Sequence, residues 1–365
     1  MSDTHFYPLT ISRIQQETTD TVTLFLAVPP TLADAFNYTH GQYLTLRFLF
    51  NGQEERRAYS MSSAPFEDQL AVTVKRVKGG KVSNHIHDTL KAGDTVEVMP
   101  PQGRFFTPLA ADQRKTYYLF AAGSGITPLM SILKAVLEEE PQSSVHLLYG
   151  SRQEDEIIFQ EALESLEKRY SGQLTVTHTI SQPRKEKAGW FRKSTTNWEG
   201  WVGRISKSNT IKLCSDYPAK GQGAEYFICG PGDMIDAVEE ALKGIGVDSH
   251  CIHTERFVNA GEAAANKAKG DHTAAGQAIV TLRGEKLTLD VPAGKTILDA
   301  MLAAKHDAPY SCMAGACSTC MAKVTKGSVT MDACYALDDD EVAAGYILSC
   351  QAHPGPEGVE LTFDV

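Results

Sequence analysis

The sequence has little cysteine, fewer basic than acidic residues and no internal repeats. Only 8 of its 365 residues are cysteine, too few for the disulfide frameworks of small secreted domains. Lys and Arg number 35 against 45 Asp and Glu, which gives a formal net charge of −10, and no basic cluster offsets it. A disulfide scaffold and a nucleic-acid-binding protein are therefore not expected.

The sequence also shows no secretion signal and no membrane span. Its first residues, MSDTHFYPLT, contain no basic segment followed by an apolar one, so we expect no leader. One long apolar stretch, 117–137, is interrupted by the turn Gly123-Ser-Gly-Ile-Thr-Pro128, which would break a helix crossing a bilayer. We expect a cytoplasmic protein that does not bind a membrane.

What the sequence does contain is an informative set of cysteines near its end. Cys312-x₄-Cys317-x₂-Cys320, followed later by Cys350, has the spacing of plant-type 2Fe-2S ferredoxins. A zinc site would more usually have two Cys-x₂-Cys pairs, and only one is present. Cys334 lies between the third and fourth of these cysteines, but the longer separation to Cys350 fits the ferredoxin pattern better.

Hydrophobic periodicity divides the rest of the chain into two domains. Turn-separated β-rich runs at 21–26, 43–48, 70–74 and 95–98 predict an antiparallel barrel or sandwich. From residue 117, apolar strands alternate with amphipathic helices, which predicts a parallel α/β sheet. The strands are expected at 117–122, 145–150, 174–180 and 225–229, and the helices near 128–140, 154–170 and 232–244.

A segment rich in Ala, Gly and Lys, 259–276, is typical of a flexible linker. After it, a hairpin around Arg283-Gly-Glu285, a helix at 296–305 and the cysteine loop follow in the order of a β-grasp ferredoxin. The predicted divisions are therefore 1–110, 111–258, the linker 259–276, and 277–365. Such a linker would let the cluster move between two electron-transfer partners.

The last domain has six Lys or Arg against twelve Asp or Glu. An acidic face of this kind can steer docking to a basic partner. The run Asp338-Asp-Asp-Glu341 alone is better explained as the start of a helix, where carboxylates are favoured.

The turn at 123–128 has the features of a phosphate-binding loop. Gly123 and Gly125 would let the backbone approach a pyrophosphate at a helix N-terminus. We expect Thr127 to cap that helix and Pro128 to occupy its first position. The turn ends in Pro rather than in the Gly of the dinucleotide fingerprint, so by itself it also fits an ordinary tight α/β turn.

Ser151 and Arg152 follow the next predicted strand. NAD-selective folds place an acidic residue here, whereas an Arg suits the 2′-phosphate of NADPH. The alternative is a capping box from Ser151 to Glu154 that leaves Arg152 exposed.

Cys229-Gly230-Pro231 lies at another strand end, where open α/β sheets bind ligands. Cys229 is placed either to touch a nicotinamide or to act as a small buried apolar residue.

Two strings in the first domain offer cations, an aromatic ring and hydroxyls to a flavin nucleotide. They are Arg56-Arg-Ala-Tyr-Ser60 and Lys75-Arg-Val-Lys-Gly-Gly-Lys-Val-Ser83. Each alone also fits a basic surface strand or a hairpin turn.

Together these motifs resemble the ferredoxin–NADP reductase superfamily. With a C-terminal plant-type ferredoxin, the chain is similar to the reductases of multicomponent oxygenases, and most of all to those of phenylacetyl-CoA epoxidases. The resemblance covers essentially the whole chain, including 253–257 before the linker and 341–352 after the cluster loop. One departure is the segment 184–201 with its three Trp residues, for which a surface insertion and a partner-docking loop are both open.

The resemblance implies a role for individual residues. In the barrel it implies FAD, with Arg57 on the pyrophosphate, Tyr59 against the ring and Ser60 near N5. The residues implied to hold phosphate near the second string are Gly80, Val82 and Ser83. Thr127 and Cys229 would lie near the nicotinamide and Phe257 by the flavin.

The implied activity is hydride transfer from NADPH to FAD, followed by single electrons through the 2Fe-2S cluster to the di-iron oxygenase subunits of a complex. NADH in place of NADPH stays open. One alternative is the reductase of another oxygenase, of the Rieske or steroid-hydroxylating kind. Another is a non-catalytic redox sensor or metal-binding structural protein.

Overall fold

A computed structural model describes residues 5–184, 196–258 and 275–364. Its strands form three sheets, one after another along the chain. Among these residues, no helix combines the length and the apolar character needed to cross a bilayer.

The first sheet is antiparallel and has six strands in the order β4-β3-β6-β1-β2-β5. The strands are β1 Tyr7–Thr18, β2 Thr21–Ala27, β3 Tyr43–Phe50, β4 Gln53–Ser60, β5 Leu70–Lys75 and β6 Thr95–Gln102. Met61, directly after β4, bridges Val72 of β5, so the two edge strands meet and the predicted antiparallel barrel is confirmed. Helix α1, Lys81–Asp88, connects β5 to β6.

The second sheet is wholly parallel, in the order β10-β9-β8-β7-β11-β12. Its strands are β7 Thr116–Ala122, β8 Ser144–Ser151, β9 Leu174–Ile180, β10 Trp201–Val202, β11 Ala224–Gly230 and β12 Ile252–Arg256. The helices are α2 Ile126–Glu139, α3 Gln160–Arg169, α4 Lys207–Asp216 and α5 Gly232–Gly244. The predicted parallel α/β domain is confirmed, and its apolar stretch 117–137 is strand β7 with most of helix α2.

Two expected helix starts are wrong. Helix α3 begins at Gln160 rather than near 154, and Ser151 is the last residue of β8, so the Ser151–Glu154 capping box does not form. Helix α2 begins at Ile126, which places Thr127 second and Pro128 third. Thr127 does not cap this helix, because its hydroxyl donates to the carbonyl of Ser124 at 3.0 Å.

The third sheet is mixed, in the order β14-β13-β17-β15-β16, with β13 and β17 parallel. Its strands are β13 Gly276–Leu282, β14 Glu285–Val291, β15 Met321–Met331, β16 Tyr346–Leu348 and β17 Ala352–Thr362, with helices α6 Ile297–Ala303 and α7 Asp339–Ala343. Arg283 and Gly284 both have positive φ, 52° and 81°, as a two-residue type I′ hairpin turn requires. This matches the predicted ferredoxin order.

The predicted linker lies outside the described residues over 259–274, and its last residue, Gly276, already belongs to β13. The Trp-containing segment is described only from residue 196. There Trp198 packs against the core of the parallel domain, and its indole N–H donates to the Trp201 carbonyl at 2.9 Å.

The third sheet packs against the barrel and so sets the position of the cysteine loop. The guanidinium of Arg56 lies 4.0 Å from the ring centroid of Tyr310, whose hydroxyl donates to Glu54 at 2.8 Å. Arg104 of the barrel side forms an ion pair with Glu341 of α7. The loop between α6 and β15 is therefore held against the domain in which a flavin is expected.

Candidate functional site

The four cysteines come together as two pairs of thiols. Cys312 hydrogen-bonds with Cys317, and Cys320 with Cys350. The hydrogen bond within each pair lowers the pKa of Cys317 and Cys350 and raises the pKa of Cys312 and Cys320.

The pairing fits a binuclear cluster. Each iron of a 2Fe-2S centre takes two protein thiolates, whereas zinc needs four ligands around one point. Among the described residues, no three or more His, Cys, Asp or Glu side chains are grouped around a single ion position.

Backbone and amide N–H groups approach the sulfurs, as expected around a cluster. The N–H of Ala314 donates to Cys312 Sγ at 3.4 Å, and Gln351 Nε2 donates to Cys350 Sγ at 3.4 Å. The loop needs glycine at Gly315, where φ is +73° and a Cβ would lie 2.9 Å from the Ala333 carbonyl oxygen. The donor set and the tight loop both fit the group.

Cys334 stands apart from the two pairs. Its half-buried sulfur accepts a hydrogen bond from the Leu337 backbone, and burial raises the pKa of its thiol. It lies in the turn after β15, where its geometry gives no thiol partner of the kind that Cys320 and Cys350 have.

The strand expected to hold the flavin ring ends beside the parallel domain. Ser60, the last residue of β4, donates from its hydroxyl to Glu255 of β12 at 3.1 Å. Tyr59 is largely buried, which raises the pKa of its phenol. Arg57 is about half exposed and forms an ion pair with Glu55 at 3.1 Å.

Glu255 is a site residue that the sequence reasoning missed. Burial raises its pKa to about 8, while the Ser60 hydrogen bond lowers it and the nearby Cys317 raises it further. At pH 7 this carboxyl is therefore mainly protonated, and it lies between the flavin strand and the cysteine loop. The only sequence signal was its place two residues before Phe257.

The raised pKa predicts a pH dependence of stability. Because the folded chain holds this proton between pH 4.5 and about 8 while the unfolded chain does not, stability falls as pH rises through that window. We expect the melting temperature of Glu255→Gln to rise relative to wild type between pH 6 and pH 9. The control is Glu240→Gln, which alters a carboxylate on the surface of α5. If the melting temperatures of wild type and Glu255→Gln changed equally between pH 6 and pH 9, the prediction would be contradicted.

The residues expected at the flavin phosphates lie at the start of α1. Gly80 precedes the helix, and a Cβ there would lie 2.7 Å from Ser83 Oγ. Val82 and Ser83 are buried in the first turn, and the Ser83 oxygen accepts a hydrogen bond from the Val77 N–H at 3.1 Å. First-turn N–H groups have no partner within a helix, so this tight turn presents donors that suit a phosphate.

A cavity of about 580 Å³ opens at the carboxyl ends of the parallel strands. It brings together six of the residues predicted from sequence, namely Gly123, Ser151, Arg152, Gly230, Pro231 and Phe257. Gly123 has φ +55°, and a Cβ added to it would have no neighbouring atom within 4 Å. Its backbone therefore faces open space. This edge of an open α/β sheet is where nucleotides bind.

The other predicted nucleotide residues shape the cavity from behind. A Cβ on Gly125 would lie 2.1 Å from the Cys229 carbonyl oxygen, so the 123–125 turn and β11 touch through their backbones. Cys229 itself is fully buried in the core. Pro128 is likewise buried in the first turn of α2.

The cavity also has charged walls, most of which the sequence did not single out. Lys75, Arg204, Glu156 and Asp233 line it beside Arg152. Arg152 Nε lies 3.2 Å from Glu156 Oε2, which Lys75 also contacts at 3.2 Å. Arg204 pairs with Asp233 at 3.1 Å. Lys75 was expected on the flavin side, whereas Glu156, Arg204 and Asp233 were missed because residues far apart in sequence meet here only through the packing of the barrel and the parallel sheet.

Three family models match the chain in the order of its three sheets. An oxidoreductase FAD-binding domain matches residues 8–107. An oxidoreductase NAD-binding domain matches 119–240, and a 2Fe-2S iron-sulfur cluster binding domain matches 280–355.

Known proteins are similar over nearly the whole chain. One component of the 1,2-phenylacetyl-CoA epoxidase of Escherichia coli (strain K12) is 36% identical over 99% of this chain and 98% of its own length. The ferredoxin reductase component of 3-ketosteroid-9-alpha-monooxygenase from Rhodococcus rhodochrous is 38% identical over 97% and 96%. The structure of phthalate dioxygenase reductase shares the fold, with a TM-score of 0.59, 23% identity and 98% of each chain covered.

These matches agree with the paired thiols, the antiparallel barrel and the cavity of the parallel domain. They also agree with the predicted cofactors, FAD, a nicotinamide nucleotide and a 2Fe-2S cluster. The chain belongs to the family of FAD- and 2Fe-2S-containing NAD(P)H oxidoreductases that serve as reductase components of multicomponent oxygenases.

Proposed function

We propose that this chain oxidises NADPH and delivers single electrons to a di-iron oxygenase that epoxidises phenylacetyl-CoA. The observation that carries the electron route is Glu255, which accepts a hydrogen bond from Ser60 on strand β4 at 3.1 Å and lines the same cleft as Cys317. When bound, FAD accepts an electron pair and releases electrons singly to the cluster. The chain's own residues would hold both groups where the barrel, the parallel domain and the cysteine loop meet.

The proposed cofactor contacts follow the positions described above. Arg57, Gly80, Val82 and Ser83 would hold the FAD phosphates, and Tyr59 and Ser60 the ring. Gly123 and Gly125 shape the phosphate turn.

Gly230, Pro231 and Phe257 line the cavity, and they would border the nicotinamide. Thr127 and Cys229 would act there through buried contacts, since both are buried. The four cysteines Cys312, Cys317, Cys320 and Cys350 would hold the cluster.

A preference for NADPH is supported by the cations around Arg152. Three cations, Lys75, Arg152 and Arg204, line the cavity with two carboxylates. The Arg152 side chain is 63% exposed, so it can turn toward a 2′-phosphate at the end of β8. The alternative capping role is removed by the position of α3.

Arg152→Ala should therefore weaken the binding of NADPH more than the binding of NADH. Loss of one solvent-exposed charged hydrogen bond of about 1–1.5 kcal/mol corresponds to roughly a tenfold higher KM for NADPH. The KM values for both nucleotides in flavin reduction measure this. Arg169→Ala, which removes a similarly exposed cation paired with Glu138, is the matched control. Equal losses for both nucleotides would contradict the assignment.

The partner is proposed from the relative that is a component of a phenylacetyl-CoA epoxidase. A second candidate is a steroid-hydroxylating oxygenase, because a ketosteroid monooxygenase reductase is 38% identical. Reconstitution distinguishes the two: we expect NADPH-dependent epoxidation of phenylacetyl-CoA with a di-iron epoxidase. Turnover with a ketosteroid oxygenase but none with the epoxidase would overturn the proposed partner.

The divisions at 1–110, 111–258, 259–276 and 277–365 form part of the proposal, as does a cytoplasmic location. Limited proteolysis with mass spectrometry tests the divisions. The first cuts are expected within 259–276, and early cuts inside the barrel would contradict them.

A further inference from the structure

Strand β3 of the barrel contacts both ends of the cysteine loop. The Tyr43 hydroxyl lies 2.8 Å from Thr319 Oγ1, and Thr45 Oγ1 donates to Ser311 Oγ at 2.9 Å. Residues two apart on a strand share one face, so both side chains leave the barrel on the same side. Ser311 and Thr319 each directly precede a cysteine of the proposed ligand set.

These two hydroxyl pairs are buried between the domains. None of Tyr43, Thr45, Ser311 and Thr319 is more than 8% exposed. A buried hydroxyl without a hydrogen-bond partner is unfavourable, so both pairs favour this one placement of the loop against β3. The contact is therefore specific in register as well as in position.

The Tyr43 contact continues to a sulfur, because Thr319 Oγ1 lies 3.6 Å from Cys317 Sγ. The Thr45 contact instead ends on the Ser311 hydroxyl. A ligating thiolate carries no proton and only accepts hydrogen bonds. With a cluster bound, the Thr319 hydroxyl would donate to the sulfur instead, and its oxygen would accept a hydrogen bond from the Tyr43 hydroxyl.

Tyr43 also belongs to the flavin side of the junction. It pairs in register with Ser60 of β4, and a Cβ on Gly103 would lie 2.9 Å from its ring, so the ring is closely packed. One residue thus connects the strand that is proposed to hold the flavin with a ligand of the cluster.

We propose that Tyr43 is a positioning residue for electron transfer, whose hydroxyl acts through Thr319 to strengthen the hydrogen bond on Cys317 and raise the reduction potential of the cluster. Hydrogen bonds to cluster sulfurs stabilise the reduced, more negative state. The cluster is thereby a better acceptor of flavin electrons while the ferredoxin domain contacts the barrel. This inference rests on the proposed cluster ligands.

Tyr43→Phe in the full-length holoprotein tests it, because only the hydroxyl is removed. In a redox titration followed by electron paramagnetic resonance, we expect the equilibrium constant for cluster reduction to fall up to about tenfold, at most about 59 mV. Tyr117→Phe, which removes a buried hydroxyl bonded to Glu140 at 3.0 Å far from the loop, should leave the potential unchanged.

Three further variants test whether the potential depends on the hydrogen bonds from Tyr43 through Thr319 to Cys317 or only on contact between the loop and the barrel. Thr319→Val should lower the potential at least as much as Tyr43→Phe, and Thr319→Ser should restore it. Thr45→Val removes the hydrogen bond to Ser311 and should leave the reduction potential unchanged. An equal shift in Thr45→Val, or an unchanged potential in Tyr43→Phe and Thr319→Val with full iron content, would overturn the inference. Wild-type protein with no cluster signal would overturn the proposed ligands and this inference with them.

Discussion

Cys350→Ser is expected to lose the iron–sulfur spectrum and electron delivery to an external partner, while reduction of bound flavin by NADPH continues. Cys350 is the hydrogen-bonded partner of Cys320, so in the proposed ligand set its loss would leave one iron with a single cysteine ligand. The flavin strand β4 and the nucleotide cavity lie on other sheets, so their binding residues stay in place. Iron content and the visible spectrum of the purified variant measure the effect.

Cys334→Ser is the matched control for this substitution. Cys334 lies outside both thiol pairs, and its sulfur bonds to the Leu337 backbone. This variant should keep two irons per chain and full electron delivery. Loss of the cluster in Cys334→Ser, with retention in Cys350→Ser, would show that the ligand set is wrong.

Gly125→Ala is expected to abolish oxidation of NADPH and to destabilise the parallel domain. The new Cβ would lie 2.1 Å from the Cys229 carbonyl oxygen and 2.9 Å from the Gly230 nitrogen. Both are backbone atoms that cannot move aside as a side chain does. The cost of such overpacking is typically about 1–3 kcal/mol and occasionally more, and the displaced segments form the walls of the nucleotide cavity.

Gly123→Ala separates crowding from backbone strain within the same turn. Gly123 has φ +55°, but its added Cβ would meet nothing within 4 Å. Its cost is the left-handed conformation, about 1 kcal/mol, so this variant should remain folded with a modest loss of nucleotide binding. Stopped-flow flavin reduction and thermal unfolding compare the two. Normal activity in Gly125→Ala would contradict the close approach of the turn to β11.

Sequence patterns predicted the features that depend on local spacing. The cysteine spacing identified the cluster domain, and strand–helix alternation identified the parallel sheet. Strand β4 was predicted only as an alternative, a basic surface strand over 56–60, because half of the residues in its sequence, QEERRAYS, are charged. Its pairing with β3 makes up for its weak strand propensity, and tertiary context of this kind is absent from a local pattern.

The parts of the site that span domains were beyond sequence reasoning. Glu255 lies in an ordinary string, and only β12 pairing beside β11 brings it to Ser60. The sequence pattern predicts only that Tyr43 lies in a strand. Its hydroxyl nevertheless contacts Thr319 of the cysteine loop, 276 residues away in the sequence. Likewise the Ser151–Glu154 spacing satisfied a capping rule, but β8 continues through Ser151 and leaves no helix there to cap.

The electron route from nucleotide to flavin to cluster is decided by an anaerobic stopped-flow titration with NADPH, followed at flavin and cluster wavelengths and by electron paramagnetic resonance. We expect the purified chain to contain FAD and two irons, the flavin to bleach first, and one cluster signal per chain to develop afterwards. Cys350→Ser should show the flavin phase alone. A chain without flavin absorption, with one zinc in place of two irons, or with no cluster signal after NADPH would contradict this route.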